Sequence, residues 1–179
     1  IPNGNYTQKI NIDEAETYGL EAGMTIPFLD VFSLGLNYTY TESEQKSGAN
    51  KGAKLVNTPK HMANAVLNWQ TTSKLKTWLK MEYRGERYRF LGKPSSLTGD
   101  DLAMYQQLGD TMDDYTLFNL GARYQVTKDF SVSATIYNLF DKDFLKRESY
   151  YNASNNLVYY TAPYSMEGRR LWVSFTYNF

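Results

Sequence analysis

The chain has 179 residues, enough for one domain with a sizeable core, and it balances 19 Lys and Arg against 19 Asp and Glu. Zero net charge and a pI near 6.8 give no basic bias toward nucleic acid, and the absence of cysteine excludes disulfides and thiolate metal sites. The 16 Tyr, 9 Phe and 3 Trp coexist with a mean hydropathy of −0.55, a balance that suits strands with one greasy and one wet face, in a membrane barrel or in a soluble β-sandwich.

No stretch approaches the roughly 18 to 20 apolar residues of a spanning helix, so any membrane crossing is made by strands. The opening Ile1-Pro2-Asn3-Gly4-Asn5 lacks the basic start and apolar run of a signal peptide. Residues 17–26 alternate apolar Tyr18, Leu20, Ala22, Met24 and Ile26 with polar or small partners. A tight turn at 27–30 leads to a second alternation from Phe32 to Thr41, and the two form a hairpin. The polar run 42–59 reads as a long loop. Alternation resumes at 62–70 and, after a turn at 71–74, at 75–84, where Lys76, Lys80, Glu82 and Arg84 share the polar row with Trp78. A closed soluble barrel cannot solvate that row, whereas a wide water-filled lumen can. A Gly-, Ser-, Asp- and Gln-rich loop covers 91–113. Strands follow at 118–126 and, beyond a turn at 127–129, from Phe130, where Phe130, Val132, Ala134 and Ile136 face away from Ser131, Ser133, Thr135 and Tyr137. That strand runs into Asn138-Leu139-Phe140-Asp141-Lys142-Asp143-Phe144, exits through a Tyr- and Asn-rich loop to about 164, and the chain ends on a strand closing at Phe179.

Short turns and long loops alternate throughout, as in outer-membrane barrels with brief periplasmic turns and long outer loops. The alternation gives an all-β, antiparallel up-and-down transmembrane β-barrel segment of about seven strands, each long enough for a tilted crossing of roughly 9 to 11 residues. Bacterial single-chain barrels use even strand numbers. An odd set is therefore expected to be a fragment or a nicked piece, with 1–13 the tail of an outer loop.

These residues resemble the TonB-dependent outer-membrane receptors, most closely the ferric-siderophore receptors of the catecholate branch. The matching features are the 138–144 box, Tyr18-Gly19-Leu20-Glu21 opening a hairpin, Asn37-Tyr38-Thr39-Tyr40-Thr41, Thr58-Pro59-Lys60-His61 and the terminal Phe179, in the order of that family's C-terminal strands. The resemblance implies that the chain supplies the C-terminal strands of a barrel of about 22 strands closed around an N-terminal plug. It also implies import of ferric siderophores energised by TonB. Plug, TonB contact and the earlier strands are not in this sequence. Iron would arrive inside its chelator, so no cofactor and no protein ligand to metal are expected; the partners are a ferric siderophore, TonB and the plug through the remainder of the receptor, and outer-membrane lipid. A passive porin and a barrel hydrolase are the alternatives.

Arg84, Arg87, Tyr88, Arg89 and Lys93 form one candidate ligand cluster, since cations beside aromatics suit an anionic aromatic chelate; an aromatic belt above a solvated loop base is the plainer account. Arg147, Tyr150, Tyr151, Tyr159 and Tyr160 form a second, with loop packing as its alternative. Glu21, Lys80, Glu82, Arg123 and Arg170 are expected to form structural ion pairs on the lumen side. Asp100, Asp101, Asp110, Asp113 and Asp114 lack the spacing of a calcium loop and read as a solvated acidic loop. His61 is the single histidine, and without a Gly-x-Ser-x-Gly elbow it reads as an interface residue rather than a catalytic base. Three Asn-x-Ser/Thr sequons at Asn5, Asn37 and Asn152 are chance matches. The 138–144 box is expected to be architectural, closing the barrel beside the last strand.

Overall fold

The computed structural model describes residues 14–143, 147–161 and 167–179. In chain order its elements are β1 (Ala15–Phe28), β2 (Phe32–Gln45), β3 (His61–Gln70), β4 (Leu75–Arg84), β5 (Arg87–Tyr88), α1 (Gly99–Leu108), β6 (Thr111–Met112), β7 (Tyr115–Gln125), β8 (Phe130–Tyr137), β9 (Arg147–Tyr151), β10 (Leu157–Thr161) and β11 (Arg170–Tyr177). Seven of these form one antiparallel sheet in the order β1-β2-β3-β4-β7-β8-β11, each long strand beside its neighbour in sequence. The expected up-and-down meander of seven strands is the observed one, and β1 and β11 are its edges.

Register carries the sequence pattern across the sheet. Leu20 faces Tyr40, Met24 faces Leu36, Leu36 faces Ala65, Ala65 faces Met81, Met81 faces Phe118, and Leu120 faces Ile136, which faces Leu171. Because side chains alternate faces with period two, this register places every apolar row on one side and every polar row on the other. The apolar side is largely exposed, with Leu20, Met24, Leu171 and Phe175 open to the surroundings. Aromatic residues gather at both of its ends: Phe28 stacks on Phe32 and Phe32 on Trp69 near the short turns, while Tyr18, Tyr38 and Tyr40 stand near the long connections. An outward apolar band between two aromatic girdles is the pattern of a strand set that spans a bilayer.

The short turns are built by local hydrogen bonding. Leu29 and Asp30 take left-handed backbone (φ 50° and 52°) in the three-residue link between β1 and β2. Thr72 Oγ1 accepts from the N–H groups of Lys74 and Leu75, and Thr127 Oγ1 accepts from those of Asp129 and Phe130, so the two other turns use the same threonine device. On the polar face Trp78 lies flat over Gly121, where a Cβ would meet the indole at 2.1 Å.

The long connections are not structureless. β2 continues through Gln45, past the expected loop start, because the segment after it folds back: Gln45 N–H donates to Ala53 O, Gly52 N–H to Gln45 O, and Leu55 N–H to Ser43 Oγ. The connection expected as loop at 91–113 contains α1 and β6, which pairs with β5 just ahead of it, and the Tyr-rich connection contains the β9–β10 hairpin. Among the described residues the buried apolar side chains are Ala53, Met104, Met112 and Tyr150, all of them in these connections rather than in the sheet.

Candidate functional site

A polar ladder crosses the inward face of the sheet. On β4, Glu82 pairs with Lys80 at 2.8 Å and approaches Arg84 at 4.0 Å, and Arg84 reaches Asn64 Oδ1 on β3 at 3.5 Å. From β7, Asn119 donates to Glu82 at 3.0 Å and accepts from the Asn138 N–H at 2.9 Å. Asn138 then closes on its own loop: its Oδ1 accepts from Lys142 N–H at 2.8 Å and its Nδ2 donates to Lys142 O at 2.9 Å. Asn119 and Asn138 are buried, and the amide groups of both side chains have partners, as burial demands. Asn138 adopts φ 50°, a left-handed conformation that asparagine tolerates better than most residues. Two of the other inward charges are held as well. Arg123 donates to the buried Ser131 Oγ at 3.0 Å, and Arg170 pairs with Glu167 at 2.7 Å while lying 4.5 Å over the Tyr137 ring. Glu21, on the β1 edge strand, has no ion pair among the described residues.

The first residues of the 138–144 box are therefore a link in this ladder, and Asp141 fastens the box to the last strand. Its carboxylate accepts from the Arg169 N–H at 2.9 Å, next to the start of β11, with the Arg169 side chain at 3.9 Å. Lys142 contributes through its backbone. Phe144 falls outside the described residues.

Above the ladder the three long connections pack into one cap. Val56 bridges to Tyr88, Asn57 N–H donates to Tyr88 O, and Gln45 Nε2 donates to Leu91 O, tying the first connection to the second. Tyr88 pairs with Thr111, and Arg89 is buried under this pair, its N–H on Asp110 O and its Nη2 on Thr111 O at 3.0 Å. Arg87 lies 5.3 Å over the Tyr115 ring. Lys93 is exposed and, with Tyr88, Phe90, Lys54 and Asp110, lines a small cavity of about 90 Å³.

The helix α1 joins the second connection to the third. Gln107 hydrogen-bonds both backbone groups of Tyr151, donating to its carbonyl at 2.7 Å and accepting from its N–H at 2.9 Å, as a neighbouring strand would. Asp100 accepts from Ala153 N–H at 3.0 Å. Tyr150 is buried against this junction; burial raises its hydroxyl pKa, and the Asp100 and Asp101 carboxylates raise it further. The two candidate clusters thus belong to one body. Within it Arg89 and Tyr150 are interior, Tyr151 and Tyr159 are 53% and 62% exposed, Arg84 belongs to the ladder, and Arg147 and Tyr160 are paired residues of the hairpin. Asn152 of the third sequon has its side chain in the hairpin turn, accepting from Ser154 and Asn156 N–H.

Two elements escaped sequence reading although signals existed: Thr98-x-x-Asp101 with Gly109 beyond frames α1 as a start and a stop, and Tyr150, Tyr151, Leu157, Val158 and Tyr159 flank an Asn-rich turn. Among the described residues no group of three His, Asp or Glu could hold a metal ion. His61 shares a 2.7 Å hydrogen bond with the Tyr38 hydroxyl on the outward face.

A family model described as the TonB dependent receptor-like β-barrel matches residues 1–139. The chain is 37% identical over 167 residues to the iron-regulated outer membrane virulence protein of Vibrio cholerae, a match covering 93% of this chain and 22% of that protein. It is similar to the crystal structure of a ferric enterobactin receptor variant from Pseudomonas aeruginosa, with TM-score 0.69 and 26% identity over 94% of this chain and 23% of that one. Another variant of that receptor, in complex with enterobactin, gives TM-score 0.67 and 26% identity over 93% of this chain and 23% of the other. The chain thus spans about a fifth of the length of the curated relatives it matches.

Proposed function

Since the chain belongs to the TonB-dependent receptors of the outer membrane, as part of their β-barrel, we propose that it supplies the C-terminal strands of a transporter that binds a ferric siderophore of the catecholate type and imports it with energy from TonB. The family consists of receptors and transporters rather than enzymes. The observation that carries the proposal is the cap: three outer connections joined into one body that presents Tyr151, Tyr159 and Lys93 above an inward face lined with charge. An anionic chelate with aromatic rings meets cations and tyrosine faces there through charge-assisted hydrogen bonds, stacking and cation–π contact. The chelator keeps the iron's coordination sphere, so the protein needs no ligand atoms for it. The edges β1 and β11 carry open rows of N–H and C=O groups that lipid cannot satisfy. In the proposal these edges pair with the remaining strands of a closed barrel, and the plug occupies the charged interior. A passive pore is the weaker account because relatives named as ferric enterobactin receptors share this strand set.

The test uses the full-length receptor in a strain lacking its own siderophore receptors, fed iron complexed to a catecholate, a hydroxamate or citrate. The proposal predicts TonB-dependent uptake of the catecholate complex, reduced at least tenfold by Tyr151→Ala with Tyr159→Ala. Correctly inserted receptor without uptake of any ferric siderophore sinks it, and TonB-independent ion conductance establishes the pore instead.

A further inference from the structure

The outward face of the sheet is apolar but not flat. On β3 two successive outward positions are Ala63 and Ala65, while at the same heights β2 raises Tyr38 and Leu36 and β4 raises Tyr83 and Met81. The alanines floor one side of a hollow of about 500 Å³ that runs from Ala22 and Met24 on β1, past Leu36 and Tyr38, to Met81. Strands lie about 4.8 Å apart, so the β2 and β4 walls stand about 10 Å apart, which leaves room for one hydrocarbon chain between the side chains.

At its loop-side end the hollow runs into polar groups. The Tyr38 hydroxyl bonds His61, Tyr40 packs 5.4 Å from the His61 ring, and Lys60 Nζ lies 5.4 Å over Tyr40. Lys54 and Lys60 both pair with Glu42, setting two ammonium groups against one carboxylate. One row farther out the balance reverses, with Lys46 between Glu16 and Glu44. Across the hollow, Glu86 follows the end of β4 and Asp114 precedes the start of β7, the strand that pairs with β4. At the hollow's mouth, positive charge is therefore in excess along the β2 side.

We infer that this hollow is a seat for a phosphate-bearing lipid of the loop-side leaflet, with one acyl chain over Ala63 and Ala65 and its phosphate at Lys54 and Lys60. An apolar trough alone would take any chain, and lysines alone any anion. Their placement end to end selects an amphiphile whose phosphate lies at the top of its chain. The site requires the apolar face to meet lipid; Lys54 also lines the cap cavity beside Tyr88 and Lys93, whereas Lys60 does not.

The experiment is native mass spectrometry of the full-length receptor released from detergent, with two probes at equal concentration: bis-phosphorylated lipid A and the same lipid with its phosphates removed. Wild-type receptor is expected to retain one phosphorylated lipid about tenfold more tightly than the dephosphorylated one. Lys54→Gln with Lys60→Gln abolishes that preference and leaves dephosphorylated binding unchanged. Ala63→Leu with Ala65→Leu fills the hollow and lowers retention of both lipids about tenfold. Equal retention of the two probes by wild type, or a lysine variant that keeps the preference, overturns the proposal, as does a dimer of receptors occupying the face in place of lipid. The heat-modifiable gel shift reports folding of each variant. The lysine changes, in side chains 37% and 51% exposed, decide the matter alone if the leucine pair does not fold.

Discussion

Replacing Asn138 separates the two things this residue does, holding a left-handed backbone and tying Lys142 into the inward ladder. Its side chain makes two hydrogen bonds to the Lys142 backbone, at 2.8 and 2.9 Å, each worth about 1 kcal/mol net. Its backbone sits at φ 50°, where a residue with an ordinary Cβ loses about 1–2 kcal/mol relative to glycine. Asn138→Asp keeps the acceptor for the Lys142 N–H and tolerates the backbone, so it costs about 1 kcal/mol. Asn138→Gly loses both bonds and costs about 2 kcal/mol, while Asn138→Ala loses both and adds the strain, for about 3–4 kcal/mol. The bond from Asn138 N–H to Asn119 belongs to the backbone and survives in all three. Glycine above alanine inverts the order met in ordinary strands and helices, where alanine is the more stable. Urea unfolding of the full-length receptor in detergent, followed by tryptophan fluorescence, reads the series. An alanine variant as stable as the glycine variant would falsify the claim that the left-handed backbone at 138 is what selects asparagine.

Asp141 and Lys142, adjacent in the same box, should behave oppositely. Asp141→Ala removes the acceptor of the Arg169 N–H and costs about 1 kcal/mol, the exposed ion pair adding little, whereas Lys142→Ala stays within about 0.5 kcal/mol because only its backbone is engaged; equal losses in the yield of folded barrel contradict this. Gly121→Val puts a branched side chain where Trp78 lies, so the indole must leave its seat, at about 1–3 kcal/mol and with a shifted emission maximum; unchanged emission shows that the indole does not pack there. Tyr150 has a hydroxyl pKa raised by burial, so the neutral form supports the docked hairpin. That contribution is complete below the unfolded value near 10 and is lost as pH rises through the higher folded value. Limited proteolysis of the hairpin turn at 152–156 should therefore accelerate above pH 10 in wild type and not in Tyr150→Phe.

Seven strands were legible because each has one apolar and one polar row, a contrast that survives any error in length. The contrast fails where both faces are wet. Glu42, Ser43, Glu44 and Gln45 are polar on each side, so nothing in the pattern reveals that β2 runs on to Gln45; the fold-back of Ala53 and Leu55 decides it. The helix α1 was hidden for a related reason: it buries Met104 and little else, leaving only its Thr98 start and Gly109 stop as signals. Within the candidate site the residue types were legible but their facing was not. Tyr150 and Tyr151 are adjacent and must point opposite ways, yet which one lies 6% exposed and which 53% is set by where α1 docks. Arg87 opens, and Arg89 follows, a two-residue strand too short to show a period, and Arg89 is carried under the β5–β6 pair.

The placement of apolar burial bears on how the two parts of the molecule open. Sheet strands are joined by continuous ladders of backbone bonds, and their apolar rows are left for lipid. The cap, by contrast, is anchored by Ala53, Met104, Met112 and Tyr150, with the Gln107 and Asp100 bonds between its halves. A large buried side chain contributes about 1.5–3 kcal/mol, while ordering each residue costs about 1–2 kcal/mol in backbone entropy alone, so four anchors leave three long connections marginal. The cap should accordingly open locally without disturbing the sheet. In hydrogen exchange on the full-length receptor, the Tyr151 and Arg89 amides are expected to exchange at least a hundredfold faster than those of Val66 and Leu79. Gln107→Ala should accelerate the Tyr151 amide further and leave the sheet amides unchanged. Exchange of cap and sheet at one common rate would mean that the two unfold as a unit, and that a ligand closing on the cap must work against the whole barrel.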